Sequence, residues 1–396
     1  MSQSIITDQF PSEWQVMRIG NLFEAKAGGD YDPSSSSDVR DNRYPYPIYA
    51  NGLTQQGLYG FSNYAEEPSG SITVTGRGTL GQAFYRGTPF VAIGRLIVLK
   101  PKTSVDARFF CEYINYGIEF AVESTGVPQL TAPQISNYLI PVPSEPEQRA
   151  IAEALSDVDG LLNSLEALIA KKQAMKQATM QQLLTGKTRL PGFSGAWETK
   201  QIGDVVSPCS EKNNLGADIP VLTCSKHLGF VDSLSYFKNQ VFSKDLSGYK
   251  IIRRGQIGYP INHVEEGSIG LQDLYDVALV SPIYVVCSPK KDINSFFLHR
   301  LLKLDSYRQE FANATTSSIN RRGSLRWPAF SIIHVTLPPI DEQVAIAAVL
   351  NDVETEIAAL EKRRDKTRAI KQGMMQQLLT GRVRLPASRI DADDAD

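Results

Sequence analysis

The sequence predicts α/β (α+β) globular domains in two copies, joined by two long helices that pair as an antiparallel coiled coil in a pseudo-twofold, near-circular organisation. Two observations predict this fold. The segment 147–191 recurs as 342–386 at a constant offset of 195 residues, and 24 of the 45 positions are identical. The long stretch before each copy is rich in Gly, Pro, Tyr and Asn and repeats only weakly. An internal repeat of this kind indicates a duplicated module.

Both copies of the repeat have the pattern of a long helix. Apolar residues recur in alternating steps of four and three, the spacing of a coiled-coil seam. The seam residues are Ile151, Leu155, Val158, Leu162, Leu165 and Ile169 in the first copy, and Ile346, Leu350, Val353, Ile357 and Leu360 in the second. Ser144 with Pro146, and Asp341 after two prolines, are start signals; Gly186 and Gly381 are stop signals. Each helix should span about 40 residues, or roughly 60 Å.

Charge predicts that the two helices pack antiparallel. Each copy is acidic in its first half and basic in its second. Antiparallel pairing places each acidic half beside a basic half, and both halves also suit the dipole of their own helix. Because the two copies are related, equivalent faces would meet across a pseudo-twofold axis.

The segments outside the repeat predict small α/β domains. Short β-like runs occur at 71–75, 90–99, 251–259 and 277–287, and helical patterns follow at 107–122 and 294–313. The two domains share a weak frame. Phe10, Trp14 and Gly20 parallel Phe193, Trp197 and Gly203 at an offset of 183, and Pro133 parallels Pro328 at 195. We therefore expect about 12 extra residues in the second domain, from the difference of the two offsets.

Composition places the chain among ordinary globular proteins, with 42% hydrophobic and 21% charged residues. No apolar run approaches the roughly 18 residues of a membrane span, and residues 1–20 lack the pattern of a signal peptide. The four cysteines, Cys111, Cys209, Cys224 and Cys287, form no CxxC pair. These features predict a cytoplasmic protein with no membrane partner.

The net charge of −2 does not by itself indicate binding to nucleic acid. Residues 1–143 hold 10 basic and 13 acidic residues, whereas residues 191–340 hold 16 and 13. DNA binding would therefore need local basic patches, or positive surface supplied by a partner. The acidic tail at 387–396 is predicted to be disordered.

The order of domain, helix, domain, helix resembles the specificity (S) subunit of type I restriction-modification systems. IPVPSEPEQRAIAEAL (140–155) and VTLPPIDEQVAIAAVL (335–350) resemble the entry into the conserved helices of that family, and QQLLTG…RLP resembles the exit. The resemblance covers essentially the whole chain and is stronger in the helices than in the domains. It implies target recognition domains at 1–143 and 191–338, spacer helices at 144–190 and 339–386, and a tail at 387–396.

The same resemblance implies a function and a set of partners. Each recognition domain would read one half of a bipartite, asymmetric double-stranded DNA target. The helices would dock two methyltransferase (M) subunits, which modify adenine N6 with S-adenosylmethionine, and possibly two restriction (R) subunits, which use ATP and Mg. The chain itself would be non-catalytic and hold no cofactor. The alternative is an adaptor that binds no DNA, with two binding domains on a coiled-coil strut.

The motifs of common enzymes are incomplete in this chain. Residues 76–81 fit GxGxxG after a strand, but no acid follows between Glu67 and Asp106, so a DNA-contacting loop or a tight turn is favoured over a Rossmann fold. The GKT at 186–188 follows a helix and lacks the first P-loop glycine, so a helix cap is favoured. Cys224 and His227 are spaced CxxH without a second pair in finger spacing, which disfavours zinc. The adenine methyltransferase motif Asn-Pro-Pro-Tyr is absent.

Candidate DNA contacts are polar and basic residues in predicted loops, because base edges are read by Arg, Lys, Asn and Gln. In the first domain they are Arg43, Tyr44, Asn51, Gln55, Gln56, Arg77, Thr79 and Gln129. In the second domain they are Lys212, Asn213, Asn214, Lys226, His227, Asn262, His263, Asn320, Arg321 and Arg322. Any of them could equally be an ordinary solvated loop residue. Arg77 and 320–322 are favoured because they are flanked by glycine or clustered.

Overall fold

The structure is a computed structural model that describes residues 10–120, 129–213, 219–317 and 323–385. The chain divides into two compact units. Unit 1 comprises the residues up to 166 together with those from 362 onward, and unit 2 comprises 167–361. Both units combine helices with β-strands. The division passes through both long helices, so each unit contains one part of each.

Unit 1 is built on two four-stranded sheets. Its strands are β1 Gln15–Arg18, β2 Phe23–Ala27, β3 Ser36–Ser37, β4 Tyr46–Tyr49, β5 Leu58–Ser62, β6 Ser71–Val74, β7 Ala83–Arg86, β8 Val91–Ala92, β9 Ile97–Pro101 and β10 Leu139–Val142. Its helices are α1 Ile19–Leu22, α2 Ala107–Gly117, α3 Ala132–Ser136 and the start of the first long helix, α4 Glu145–Leu183; short 3-10 turns lie at Pro33–Ser35 and Thr54–Gly57. One sheet has the order β2-β9-β6-β7 and the other β3-β5-β4-β8, while β1 pairs with β10.

The core of unit 1 joins the first sheet to the long helices. Phe23 on β2 and Phe109 and Phe110 on α2 are fully buried in one cluster, and the Phe23 and Phe110 rings meet edge to face at 5.4 Å. The same cluster contains Ile151 and Leu155 of α4, together with Leu378 and Leu379 from the end of the second repeat. The domain is therefore packed onto both helices through a single core.

Unit 2 has a related but not identical set of elements. Its strands are β11 Glu198–Gln201, β12 Val206–Cys209, β13 Leu222–Ser225, β14 Gly229–Asp232, β15 Lys250–Arg253, β16 Ile257–Pro260, β17 Gly270–Leu271, β18 Val277–Val280, β19 Tyr284–Pro289, β20 Thr316–Ser317, β21 Gly323–Ser324 and β22 His334–Leu337. Its helices are α5 Ile202–Val205, α6 Ser233–Phe237, α7 Ser295–Leu302, α8 Asp305–Ala314, α9 Trp327–Ser331 and the start of the second long helix, α10 Ile340–Leu378; a 3-10 turn lies at Val264–Glu266. The main sheet has the order β12-β19-β16-β17.

The frame shared by the two domains is confirmed in the strands that flank them. β1 pairs with β10 with Gln15 opposite Val142, and β11 pairs with β22 with Glu198 opposite Leu337. These positions are related by the two offsets seen in the sequence, 183 and 195. The core of unit 2 likewise combines the sheet and α7 with Leu183, Leu184, Ile346 and Leu350 from the long helices.

Three predicted strands are wrong in extent, because glycine turns or short loops interrupt them. The run 90–99 forms β8 and β9, separated by a turn in which Gly94 has φ +61°. The run 251–259 forms β15 and β16 around Gly255, with φ +84°. The run 277–287 forms β18 and β19 with a break between them. The predicted helix 294–313 is also two helices, α7 and α8, and the helix predicted at 107–122 ends at Gly117.

The two long helices are confirmed, each 39 residues long. The seam residues Ile151, Leu155, Ile346 and Leu350 are buried, as a coiled-coil seam requires. Asp341 lies in the first turn rather than before it, since α10 begins at Ile340. Of the helices in the described residues, none combines the length and apolar character needed to cross a membrane.

Both stop glycines adopt the left-handed conformation that the sequence requires of them. Gly186 has φ +69° and Gly381 has φ +70°. A β-carbon at Gly186 would lie 3.3 Å from the Trp197 ring, and one at Gly381 would lie 2.5 Å from Pro11. The GKT segment is therefore a helix cap, packed against the tryptophan that opens the next domain.

Ion pairs join the acidic half of one long helix to the basic half of the other. In unit 1, Lys371 contacts Asp159 at 2.8 Å and Arg368 contacts Glu166 at 2.9 Å. In unit 2 the pairs are Lys176 with Glu354 at 2.7 Å and Lys172 with Glu356 at 2.8 Å. Residue numbers rise on one helix as they fall on the other, so the helix halves run antiparallel within each unit.

The repeated motifs EQ and RLP meet within each unit. In unit 2, Arg189 donates Nε to Oε1 of Glu342 at 2.5 Å and Nη2 to Oε2 at 2.6 Å. In unit 1, Arg384 makes the equivalent contact with Glu147, with Nη2 to Oε2 at 2.8 Å. Both glutamates are buried. A bidentate ion pair therefore joins the end of each repeat to the beginning of the other.

The glutamine of each EQ motif fastens a domain to its helix. Nε2 of Gln148 donates to Pro143 O at 2.8 Å, and its Oε1 accepts from the backbone N–H of Asp106 at 2.9 Å. Gln343 does the same with Pro338 O and the N–H of Asn294, both at 2.9 Å. Asp106 and Asn294 are the N-caps of α2 and α7. One side chain therefore fixes the start of a long helix against the start of a domain helix.

Candidate nucleic-acid interface

In unit 1, the predicted residues Asn51 and Arg77 are held together by an amide side chain. Nδ2 of Asn51 donates to Arg77 O at 2.5 Å, and its Oδ1 accepts from the backbone N–H of Gly76 at 2.7 Å. Both polar ends of the Asn51 amide are thus engaged with the backbone. Asn51 fixes the loop that presents Arg77 instead of offering its own amide to a ligand.

The glycine loop 76–81 connects antiparallel strands β6 and β7. This topology excludes the strand-to-helix turn of a Rossmann motif. A β-carbon at Gly76 would lie 2.8 Å from Arg95 O and 2.9 Å from Leu130 O, so the loop packs closely on two neighbouring segments. Arg77 also forms a β-bridge with Gln129. The side chains of Arg77 and Thr79 are exposed, and Gln129 is half-buried.

The turn Thr54–Gly57 carries two consecutive residues in the left-handed region. Gln55 has φ 48° and ψ 37°, and Gln56 has φ 55° and ψ 32°. For residues with a β-carbon this conformation costs about 1–2 kcal/mol each, so it persists only where neighbouring structure holds it. Both glutamine side chains are exposed.

Arg86, which sequence reasoning missed, supports this turn from the interior. It is only 2% exposed, and its Nη2 donates to Gln56 O at 2.7 Å. Its Nε donates to Thr73 Oγ1 at 2.8 Å, and its guanidinium carbon lies 3.5 Å from the centre of the Tyr49 ring. These neighbours are neutral, and burial lowers the pKa of Arg86. No local pattern distinguishes Arg86 from a surface arginine, so the sequence could not have shown its role.

Arg95 is a second residue that the sequence analysis did not select. It follows Gly94 in the turn between β8 and β9, has φ +66° and is exposed. The glycine loop touches its carbonyl, as described above. The positive φ of a residue with a β-carbon follows from tertiary packing, so only the Gly94 before it signals a turn in the sequence.

Arg43 and Tyr44 lie on a different loop of unit 1. The backbone N–H groups of both donate to Asp41 Oδ1 at 2.8 Å, and the Arg43 guanidinium lies 5.4 Å from the Tyr44 ring centre. Arg43 is exposed and Tyr44 is half-buried. This loop has its own support, and within the described residues no hydrogen bond ties it to Gln55 or Arg77.

In unit 2, two predicted loops are held together by Lys303. Its Nζ donates to Lys226 O at 2.8 Å and to Gly267 O at 2.9 Å. The first loop exposes Lys226 and His227; the second carries Asn262, which is half-buried, and His263, which is exposed with φ +71°. Burial lowers the pKa of Lys303. Four of the predicted residues therefore belong to one braced surface.

Asn213 is a correction to the predicted set. It is only 8% exposed, its backbone N–H donates to Tyr249 O at 2.8 Å, and its Nδ2 donates to Leu246 O at 3.2 Å. Its amide supports the chain around Tyr249 and does not project from a loop tip. Lys212 beside it is exposed. Asn214, Asn320, Arg321 and Arg322 lie outside the described residues.

Cys224 of the CxxH pair lies in the interior of unit 2. Burial raises the pKa of its thiol to about 12, so the thiolate that binds a metal ion is disfavoured. Its backbone N–H donates to Tyr284 Oη at 3.0 Å. His227 is exposed on the adjoining loop. The two side chains thus face different environments.

Comparison with known proteins identifies the family. The family model described as the type I restriction modification DNA specificity domain matches residues 11–176. The C-terminal part of a putative type I specificity subunit from Mycoplasma pneumoniae is 35% identical over 108 residues, which is 27% of this chain and 74% of that one. The specificity subunit of the type I restriction enzyme MjaVIII from Methanocaldococcus jannaschii is 22% identical, covering 95% of this chain and 94% of the relative.

A solved structure agrees in fold. The S subunit of a type I restriction-modification system from M. genitalium superposes with a TM-score of 0.63 at 15% identity, covering 92% of this chain and 96% of that chain. Two further putative specificity subunits from M. pneumoniae, 30% and 27% identical, match over only 45% and 46% of their own length. Repeated EQ and RLP motifs, a duplicated domain frame and these relatives agree: the chain belongs to the family of type I restriction-modification specificity subunits.

Proposed function

We propose that this chain is the DNA sequence-specificity subunit of a type I restriction-modification complex. Residues 1–143 and 191–338 would act as two target recognition domains, each reading one half of a bipartite, asymmetric target. The observation that carries the proposal is that the two repeats make equivalent contacts, Arg189 with Glu342 and Arg384 with Glu147, while the domains that precede them differ in sequence and in their sheets. An asymmetric bipartite target requires two different recognition domains, each held by an equivalent helical segment.

The helices at 144–190 and 339–386 would be the part that sets the separation of the two domains. The ion pairs of Arg189 with Glu342 and of Arg384 with Glu147 support a pseudo-twofold, near-circular organisation, since each repeat is fastened to the other in the same way. A stiff antiparallel pair would then hold the two readers about one DNA turn apart, roughly 34 Å.

The chain would act without catalysis or cofactor of its own. Two methyltransferase subunits would dock on the helices and bring S-adenosylmethionine, and possibly two restriction subunits would bring ATP and Mg. A cytoplasmic location follows from this role. Because the chain has a net charge of −2, we expect the isolated subunit to bind DNA weakly and the methyltransferase subunits to add the positive surface needed to enclose it.

The decisive experiment is to express the chain with its methyltransferase subunit and sequence the methylated adenines of the host genome. The expected result is methylation at one bipartite motif that appears only when this chain is present. Replacing residues 1–143 by the corresponding domain of another family member should change one half-site and leave the other intact. A motif that is independent of this chain, or a change in both half-sites, would contradict the proposal.

The spacing role has a separate test. Four residues are inserted at matching points of α4 and α10, for example after Glu166 and after Glu361. The unspecified bases between the half-sites should increase in number while both half-sites remain the same. An unchanged spacer in the methylated motif would exclude the helices as the part that sets the separation. Co-purification distinguishes the alternative function: an adaptor that binds no DNA would not co-purify with a methyltransferase.

A further inference from the structure

Three turns of unit 1 form a connected surface, which we call the three-turn face: residues 51–57, 76–81 and 94–96. Asn51 in the first turn bonds to Gly76 and Arg77 in the second. Gly76 lies against the carbonyl of Arg95 in the third. The geometry of each turn therefore depends on the others, and their exposed side chains keep fixed relative positions.

The side chains on this face are of the kinds that read DNA. Gln55, Gln56, Arg77 and Arg95 are all exposed. None of the three turns contains an Asp or Glu, so the face is locally positive although residues 1–143 carry a net negative charge. Glutamine pairs with the N6 and N7 groups of adenine through two hydrogen bonds, and arginine pairs with guanine or with phosphate.

The backbone of the first turn indicates that Gln55 and Gln56 are placed for a purpose beyond closing a loop. Glycine would adopt the same left-handed conformation freely, yet glutamine occupies both positions. The strain is held by tertiary contacts: Gly57 O accepts from Ala50 N–H at 2.8 Å, and Gln56 O accepts from Arg86. A strained, tightly held and exposed segment is characteristic of a functional position.

Arg86 is buried without an ion pair to any residue in the described part of the chain. A buried cation surrounded by neutral groups is unfavourable unless its hydrogen bonds and its ring contact are well formed. Thr73 and Tyr49 orient the guanidinium, and its Nη2 donates to the carbonyl of Gln56. Arg86 is thus a positioning residue: it acts on the face through Gln56 and does not reach the surface itself.

We propose that the three-turn face enters the major groove at one half-site, where Gln55 and Gln56 read adenine, Arg77 holds guanine or phosphate, Arg95 holds phosphate, and Arg86 fixes the glutamines in the reading geometry. This inference rests on the proposed function and deepens it, since it assigns part of one half-site to particular residues. Arg86 and Arg95 gain roles that neither the sequence pattern nor the family match assigns.

The test uses the complete complex of this chain with its methyltransferase subunits. The first variants are Gln55→Gly and Gln56→Gly, because glycine keeps the left-handed turn while removing the side chain. We expect unchanged or higher thermal stability, a relaxed preference at one or two positions of a single half-site, and target affinity lower by about 5- to 150-fold. Affinity for unrelated duplex DNA should be unchanged.

Substitutions of Arg95 and of Arg86 should affect DNA binding differently. Arg95→Ala should weaken target and unrelated DNA alike and reduce the slope of log affinity against log salt by about 1, because a phosphate contact is lost. Arg86→Met should relax the same base positions as the glutamine variants while leaving the salt slope unchanged. Arg86→Lys, which keeps the charge but cannot reach both Thr73 and Gln56, should be intermediate. A merely structural role for Arg86 would lower binding to every sequence equally.

Matched controls lie on the same unit away from the face. Gln15→Ala removes an exposed glutamine on β1, and Lys100→Ala removes an exposed cation near the end of β9, outside the three turns. Both should retain the wild-type motif and affinity. If the glutamine variants also methylate the wild-type motif with unchanged affinity, the inference is overturned and the proposed function stands. If the wild-type complex shows no sequence preference, the proposed function itself fails.

Discussion

The guanidinium of Arg189 donates two hydrogen bonds to the carboxylate of Glu342, which lies 153 positions further along the chain and is fully buried. The equivalent residues Arg384 and Glu147 make the same contact in unit 1. Each pair joins the segment after one long helix to the first turn of the other. The same contact between the two repeats therefore occurs once in each unit.

Arg189→Ala should destabilise unit 2, because it leaves the Glu342 carboxylate buried without a cation. We expect a clearly lower unfolding temperature in a calorimetric scan. Adding Glu342→Met removes the stranded charge and should recover part of the loss. Lys187→Ala, an exposed residue of the same segment, is the control and should change little. A double variant as unstable as Arg189→Ala alone would show that the buried charge is not the cause.

Lys371 lies between two acids, 2.8 Å from Asp159 and 3.2 Å from Glu112. Burial alone would lower its pKa, but the bond to Asp159 and the charge of Glu112 outweigh burial and raise it. Lys371→Glu would place three carboxylates together and should lower the free energy of unfolding by about 2 kcal/mol.

The second variant in this cluster follows from unit 2, where Arg300 pairs with Glu354, the counterpart of Asp159. Adding Glu112→Arg to Lys371→Glu should restore a positive charge to the cluster and recover most of the stability. Lys366→Glu changes the same charge at an exposed position of α10 and should have a small effect. Chemical denaturation measures all three, and failure of the second substitution to recover stability would argue against the ion cluster.

The two stop glycines should differ in their tolerance of alanine. Their φ angles are nearly equal, so the backbone cost of about 1–2 kcal/mol is shared. Around Gly381, however, a β-carbon would come within 2.5 Å of Pro11, whereas around Gly186 it would meet Trp197 at 3.3 Å. Gly381→Ala should therefore cost about 1–3 kcal/mol more than Gly186→Ala. Equal losses in thermal unfolding would show that the Pro11 contact relaxes freely.

His299 should make the stability of unit 2 depend on pH. Burial lowers the pKa of its imidazole to about 3, and its ring contacts Ile269 O at 3.3 Å. The unfolded chain has a histidine pKa of about 6.5 and binds the proton first, so stability falls as pH drops from about 6.5 towards 3. The loss approaches about 1.4 kcal/mol per pH unit below 6.5.

The matched variant is His299→Cys, since Cys111 holds the same position in α2 counted from the N-cap. It should flatten the dependence of unfolding free energy on pH between 6.5 and 4.5 relative to the wild type. His334→Gln, at an exposed histidine, should keep the wild-type slope. If His299→Cys has the same slope as the wild type, the imidazole is not the group that titrates.

The sequence predicts the long helices well and the extent of the strands poorly. The helices depend on signals that repeat within a few residues, such as the apolar seam and the glycines at 186 and 381. The largely apolar run 90–99 predicts a single strand, yet Gly94 and Arg95 turn the chain in its middle. Whether an apolar run bends is decided by the segments it packs against.

In the candidate interface, too, the sequence predicts local features but not the contacts between distant segments. The sequence could identify Gln55, Arg77, Lys226 and Asn262 as polar residues in loops, because loop composition is local. It could not show that the side-chain amides of Asn51 and Asn213 donate hydrogen bonds to backbone carbonyls of distant segments, those of Arg77 and Leu246. Residue type is the same for an asparagine that supports a loop and one that projects from it.

The sequence by itself determined the duplicated module, the two capped helices and the family, because all three are written in short-range periodicity and in repeated motifs. The tertiary structure decided which parts of the two repeats make contact, as in the ion pair of Arg189 with Glu342. It also decided that the buried cations Arg86 and Lys303 donate hydrogen bonds to the carbonyls of exposed loops. These pairings join residues far apart in the chain. Their partners are fixed only when burial makes an unpaired charge or an unmade hydrogen bond costly.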